Sequence, residues 1–239
     1  MQLAYALRDA AELEKSLGNA ELGREYELQA NQICDSTYSL CWDRTRELIA
    51  DSPNKKTFSQ HANIMGLISD AIPITRQQAV FDKINQDKNL VQTTLYYKFY
   101  LVRAMKKVGM ADQYLDILAP WQKTIDNGFT TFPERPENTR SDCHAWSANP
   151  LYDLLATVCG IEPSSPGFKT VKIEPHPGYL TILEASFPHP LGEISMHLKK
   201  NSNNIWRGEI ILPRGLTGTF RLSGKTINLK EGSQKIILN

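Results

Sequence analysis

The chain has no long apolar run. No stretch approaches the ~20 consecutive apolar residues that a membrane-spanning helix needs, so no membrane span is expected. It has no surplus of charge either. Its 27 basic and 26 acidic residues nearly cancel over 239 positions, and no basic stripe interleaves with aromatics, which argues against a nucleic-acid partner. Cysteine is sparse: Cys34, Cys41, Cys143 and Cys159 form no C-x-x-C pair and no Cys/His cluster with metal-ligand spacing, so neither a metal nor another cofactor is expected. Four cysteines so spaced leave free thiols and a disulfide both open, and with them the redox compartment. The first residues, Met1-Gln-Leu-Ala-Tyr-Ala6, enter a helical pattern without a basic leader and so do not read as a signal peptide. Localisation is therefore unassigned: periplasm, cell exterior and cytoplasm all stay open.

What is present is an ordinary globular composition, 41% hydrophobic and 22% charged, in a chain long enough for real cores. Its two parts differ in period. Up to about Gly160, apolar residues recur at helical spacing. Leu3, Ala6, Leu7, Ala10, Leu13 and Leu17 make a stripe that stops at Gly18. The same reading predicts helices over 22–38, 58–71, 75–85, 91–108, 111–125 and 144–159. Pro150 in the last of these predicts a kink or a separate opening turn. After Ile161 the period becomes 2. Strands are predicted at 169–173, 179–187, 192–198, 206–212, 217–222, 226–229 and 235–238, with Pro, Gly and Asn turns between them. Short strands so spaced point to a small antiparallel β-sandwich. The expected division is a helical domain over 1–161 and a β-domain over 162–239. From Ile161 onward 10 basic residues face 6 acidic ones, too small a bias to imply a charged partner.

Connections alternate in length. Those at Gly18-Asn19, Ile72-Pro73 and Gly109 are short; those over 39–57, 86–90 and 127–143 are longer. Helical hairpins joined this way gather the long loops at one end, where function tends to sit. A solenoid of helix pairs and a toroid of hairpins both fit, although no repeat of tetratricopeptide length appears. Seven helices are too few to close a twelve-helix (α/α)6 toroid.

The long-loop end carries the chemistry. Gly128-Phe-Thr-Thr-Phe-Pro-Glu134 frames one carboxylate with proline, and Cys143-His-Ala-Trp-Ser-Ala-Asn-Pro150 follows. A carboxylate beside a histidine and aromatics suits glycoside cleavage, although a solvated loop glutamate is the commoner fate of such a residue. Gln60 and His61 open the third helix at the same end and are candidates to line a pocket. Trp42, in the first long loop, has the ring to stack on a sugar face or to pack in the core.

The string from Gly128 to Pro150 resembles the late barrel signature of bacterial α-L-rhamnosidases, glycoside hydrolase family 78. Phe58-Ser-Gln-His-Ala-Asn63 resembles an inner-helix opening of that family. Gly160-Ile161 with Pro166-Gly-Phe168 resembles its barrel-to-sandwich transition, and Pro188-His-Pro-Leu-Gly192 a hairpin of its C-terminal β-domain. The resemblance spans nearly the whole chain in the family's order. It implies the later helices of an (α/α)6 barrel followed by a β-sandwich, in an enzyme that removes terminal α-L-rhamnose with inversion. It also implies Glu134 as general base and His144 as a sugar contact. Pro133 stands where the family carries an aromatic residue, and Asp142 where it often has arginine. The family's general acid lies in an acidic, arginine-containing motif that this sequence lacks. The chain therefore reads as the C-terminal part of a longer enzyme, inactive alone, whose partners are a rhamnose-containing carbohydrate and the N-terminal part of the same enzyme. Self-association through uncovered inner faces is a further expectation. A non-catalytic carbohydrate-binding or scaffold protein is the alternative, and another toroid enzyme, such as a glucuronyl hydrolase or lyase, a third.

Overall fold

The computed structural model describes residues 1–238. They form two compact units: Met1–Met110 with Glu137–Ser141, and the remaining described residues, 111–136 with 142–238.

The first unit is helical. Helix α1 (Gln2–Leu17) ends at Gly18 and α2 (Ala20–Cys41) starts at once, capped by the Asn19 side chain. The two pack along each other, sealed by Ala4, Ala30 and Cys34 against Ala71. A minimal hairpin, β1 (Trp42–Asp43) with β2 (Leu48–Ile49), occupies the first long loop. Then come α3 (Gln60–Ile68), α4 (Ile74–Gln86) and α5 (Lys98–Lys107). Helix α3 touches α1, α4 and α5, and nearly all its residues are buried, the polar Gln60 and Asn63 among them. Ile64, Leu67, Ile72, Phe81, Ile84, Leu101 and Met105 make the core around it.

Two expected helices differ from their periodic reading. The fifth begins at Lys98 rather than near Val91. Residues 91–93 are held by long-range bonds instead: Val91 donates to Phe58 O, Gln60 donates to Val91 O, and Thr93 N donates to Gln60 Oε1. The sixth is a 3-10 helix over Ala111–Leu118 before the α-helix α6 (Ala119–Asp126). Pro120 lies in the first turn of α6, where its missing N–H costs nothing, so regular helix starts there.

The second unit carries these late helical turns and the sheets. The seventh predicted helix is a 3-10 turn (Ala145–Ser147), then α7 (Asn149–Asp153) opened by Pro150, then one π-turn (Leu154–Val158). Trp121 of α6 donates its indole N–H to Ser147 O at 2.8 Å, tying α6 to that turn. Beyond it, two four-stranded sheets alternate buried and exposed residues. One has the order β10 (Gly232–Leu238), β7 (Trp206–Leu212), β6 (Gly192–Lys200), β5 (Ile182–His189), all antiparallel. The other runs β3 (Ile161–Pro163), β4 (Thr170–Ile173), β8 (Thr217–Leu222), β9 (Lys225–Leu229). The fold is thus helices followed by β-sheets, as the sequence predicted, with two additions. β3 forms across the expected boundary at 161–162, and β4 pairs with β8 in parallel. Among the described residues no helix is long and apolar enough to cross a membrane.

Candidate active site

Glu134 sits in the loop between α6 and the 3-10 turn of Ala145–Ser147, within the second unit. Three bonds close the base of this loop. Phe129 N donates to Thr124 O at the end of α6, Thr131 Oγ1 donates to Asp142 O, and His144 N donates to Phe132 O at 2.6 Å. Asn127 Nδ2 also donates to Pro136 O. The loop therefore folds back on itself and brings His144 opposite Phe132, two residues from Glu134. Pro133 is buried and Glu134 half-buried, so the proline anchors the backbone from which the carboxylate projects.

His144 is half-buried and caps the 3-10 turn through its carbonyl, which accepts from Ser147 N. Its ring meets Trp146 edge-on at 6.1 Å, and the Trp146 indole is 71% exposed. One loop thus carries a half-buried carboxylate, an imidazole and an open indole, the kinds of group that sugar sites use. Trp146 was not among the residues singled out from sequence. Its place two residues after His144 in an aromatic-bearing turn was the available signal.

The other three candidates belong to the first unit. Gln60 is 3% exposed and its carboxamide is engaged at both ends: Nε2 donates to Ile84 O at 2.8 Å, and Oε1 accepts from Thr93 N and Thr93 Oγ1. It holds three segments together. His61, next on α3, is half-buried with its ring 4.3 Å from Tyr97. Burial pulls its pKa below the ordinary histidine value, and Asp51 only partly offsets that, so the imidazole is neutral at pH 7. Burial, with Tyr100 and Tyr96 adding to it, pushes the Tyr97 hydroxyl up to about 12. Trp42 is buried, stacked on Tyr38 at 4.9 Å with the Arg76 guanidinium 5.3 Å from its ring.

The motif around Gln60 is mostly bracing. Ser59 caps α3 by accepting from Ala62 N, and its hydroxyl donates to Asp51. Asn63, fully buried, donates to Ile49 O and accepts from Ile49 N, pairing with β2 as a strand would. Of the cysteines, Cys34, Cys41 and Cys159 are buried and Cys143 is exposed. Among the described residues no three His, Cys, Asp or Glu side chains gather as a metal site would require.

Residues 160–236 match the family model described as the bacterial alpha-L-rhamnosidase C-terminal domain. No curated protein matches the chain in sequence. Among solved structures, the family 78 rhamnosidase of Bacillus sp. GL1 is 24% identical with a TM-score of 0.81, over 92% of this chain and 25% of that one. The α-L-rhamnosidase of Aspergillus terreus is 18% identical with a TM-score of 0.83, over 98% of this chain and 29% of that one. The Streptomyces avermitilis enzyme, solved in complex with L-rhamnose, is 18% identical with a TM-score of 0.80, over 99% of this chain and 26% of that one. The chain thus spans 25–29% of the length of these three solved relatives, and likeness at these identities is likeness of fold. The resemblance drawn from Gly128–Pro150 and the β-domain hairpin is borne out: segment 160–236 matches the bacterial α-L-rhamnosidase C-terminal domain, and nearly the whole chain has the fold of part of the family 78 α-L-rhamnosidases.

Proposed function

We propose that this chain is part of an inverting α-L-rhamnosidase, with Glu134 as general base and His144 as a contact to the rhamnose ring. The observation that carries this reading is the loop closure in which His144 N bonds Phe132 O, holding the Glu134 carboxylate and the imidazole on one braced loop. An inverting glycosidase needs a carboxylate that strips a proton from water and a carboxylic acid, roughly 6.5–9.5 Å away, that protonates the leaving oxygen. Glu134 fills the first role. The acid comes from residues outside these 239. Trp146, on the same loop, supplies an aromatic wall for the sugar. We take the catalytic barrel portion as 1–161 and the β-domain as 162–239, a division supported by the family match that begins at residue 160.

The test is hydrolysis of p-nitrophenyl α-L-rhamnoside by the chain alone and by a longer polypeptide that contains it. The chain alone is expected to turn over at background rate. In the longer polypeptide, Glu134→Gln is expected to lower kcat by about 10²–10⁴-fold, the usual worth of general base catalysis. Full activity in the isolated chain, or an unimpaired Glu134→Gln polypeptide, refutes the assignment. Binding of rhamnosides without turnover in any longer form supports a non-catalytic carbohydrate-binding protein instead.

A further inference from the structure

A second site lies in the first unit, around the hairpin that follows α2. A cavity of about 830 Å³ opens there, lined among others by Tyr38, Trp42, Arg44, Glu47, Lys55 and Arg76. It holds three cations and one carboxylate, and that carboxylate is already committed. Glu47 pairs with Lys83 at 2.6 Å and with Arg76 at 3.6 Å, and the hydrogen bond from Lys83 holds it ionised. Neither Arg44 nor Lys55 has an ion pair among the described residues. Lys55 Nζ instead donates to Trp42 O at 2.8 Å.

The chain itself holds Lys55 and Arg76 in place and fixes the backbone that carries Arg44. Asp43 Oδ1 accepts from Thr45 N and Arg46 N, fixing the turn that presents Arg44. Glu47 and Lys55 both have left-handed backbone, at φ 52° and 55°, which non-glycine residues adopt at a cost and keep where the surroundings enforce it. Trp42, stacked on Tyr38, forms an apolar wall against which the Arg76 guanidinium rests. A low-dielectric wall beside the Arg76 guanidinium strengthens its pull on an anion.

We infer that this cavity binds a ligand bearing an oxyanion, a carboxylate or a phosphate ester, on a body the size of a sugar. Arg44, Arg76 and Lys55 take the oxyanion, and the Trp42–Tyr38 wall takes the body. The cavity lies within the ~300–1,000 Å³ range of small-molecule pockets, far more than a bare ion fills. The site is independent of Glu134, so it stands or falls apart from the rhamnoside reading.

The experiment is a titration of the ¹⁵N-labelled chain, followed by amide and indole resonances at constant ionic strength. D-galacturonate, its neutral counterpart D-galactose and inorganic phosphate are the three probes. Galacturonate is expected to shift the Trp42 indole and the Arg44 and Lys55 amides saturably, and galactose to leave them unmoved. Arg44→Gln, at an exposed position where folding is indifferent to it, is expected to weaken binding about tenfold, the worth of one charge-assisted bond. Arg76→Gln is expected to do the same. Phosphate shifting the same resonances at least as strongly as galacturonate supports the oxyanion chemistry and assigns it to phosphate esters. Equal shifts with galactose, no saturable response to either anion, or unchanged affinity in both variants overturns the proposal.

Discussion

Gly160 is the residue on which the junction between the last helical turn and the β-sheets depends. Its φ is 69°, and a Cβ built on it would stand 2.1 Å from the Glu174 carbonyl carbon and oxygen. Both the left-handed backbone and the close approach of Glu174 exclude a side chain, and Glu174 N donates to Gly160 O across the same contact. Gly160→Ala is expected to destabilise the chain by about 4 kcal/mol or more, or to prevent folding. Gly224→Ala is the control, since its φ is 75° with nothing within 4 Å of the added Cβ. It should cost only the backbone term, about 1–2 kcal/mol. Urea unfolding of both variants measures the difference; equal costs would refute the clash. His61 makes a pH prediction. Its folded pKa lies below the ordinary 6.5, so the unfolded chain binds the proton more readily. The resulting stability is present above pH 6.5 and is lost as pH falls from there toward the folded value. His61→Phe should flatten that part of the pH dependence, read as urea midpoints between roughly pH 7 and 5. An unchanged slope would mean that His61 is not the titrating group.

At the scale of elements, the predicted fifth helix is instructive. Its apolar spacing over 91–108 was legible in the sequence, and its C-terminal half, α5, forms as expected. The N-terminal half does not, because its backbone groups bond to Phe58 and Gln60 instead of to each other. Helix propensity differs among ordinary residues by less than about 1 kcal/mol, so a few buried tertiary bonds override it. Gln60→Leu tests this. It leaves Ile84 O and both Thr93 groups without their partner, and each buried unmet group costs about 1–3 kcal/mol. The expected result is a loss of at least ~3 kcal/mol, with faster hydrogen exchange at the Thr93 amide than at amides of α4. Unchanged Thr93 protection would show that another contact holds the segment. Gln60 was read from sequence as a pocket residue. A polar residue at a helix opening carries the same one-dimensional signal whether it faces a ligand or the neighbouring backbone.

At the scale of the whole molecule, α1 and α2 present apolar side chains to solvent. Leu3, Leu13, Leu17, Leu28 and Leu40 are between 57 and 75% exposed. An apolar surface of this kind favours association. The isolated chain is expected to sediment as a concentration-dependent oligomer, and Leu13→Glu with Leu17→Glu to shift it toward monomer. A chain that stays monomeric at every concentration would refute that reading.

The sequence by itself determined the order of the architecture: helices to about Gly160, then strands with a period of 2 and turns at proline, glycine and asparagine. These follow from local rules, because which residues face inward along one element is set by its own repeat. It also set the composition of the Glu134 loop. Tertiary structure alone decided which polar residues became braces, with Gln60 and Asn63 binding the backbones of Ile84, Thr93 and Ile49. It decided the parallel pairing of β4 with β8, more than forty residues apart in sequence, and the gathering of Arg44, Lys55 and Arg76 around Trp42. Such contacts join positions whose separation has no period, so no repeat in the sequence announces them; they exist only once loop closure has been offset by burial elsewhere.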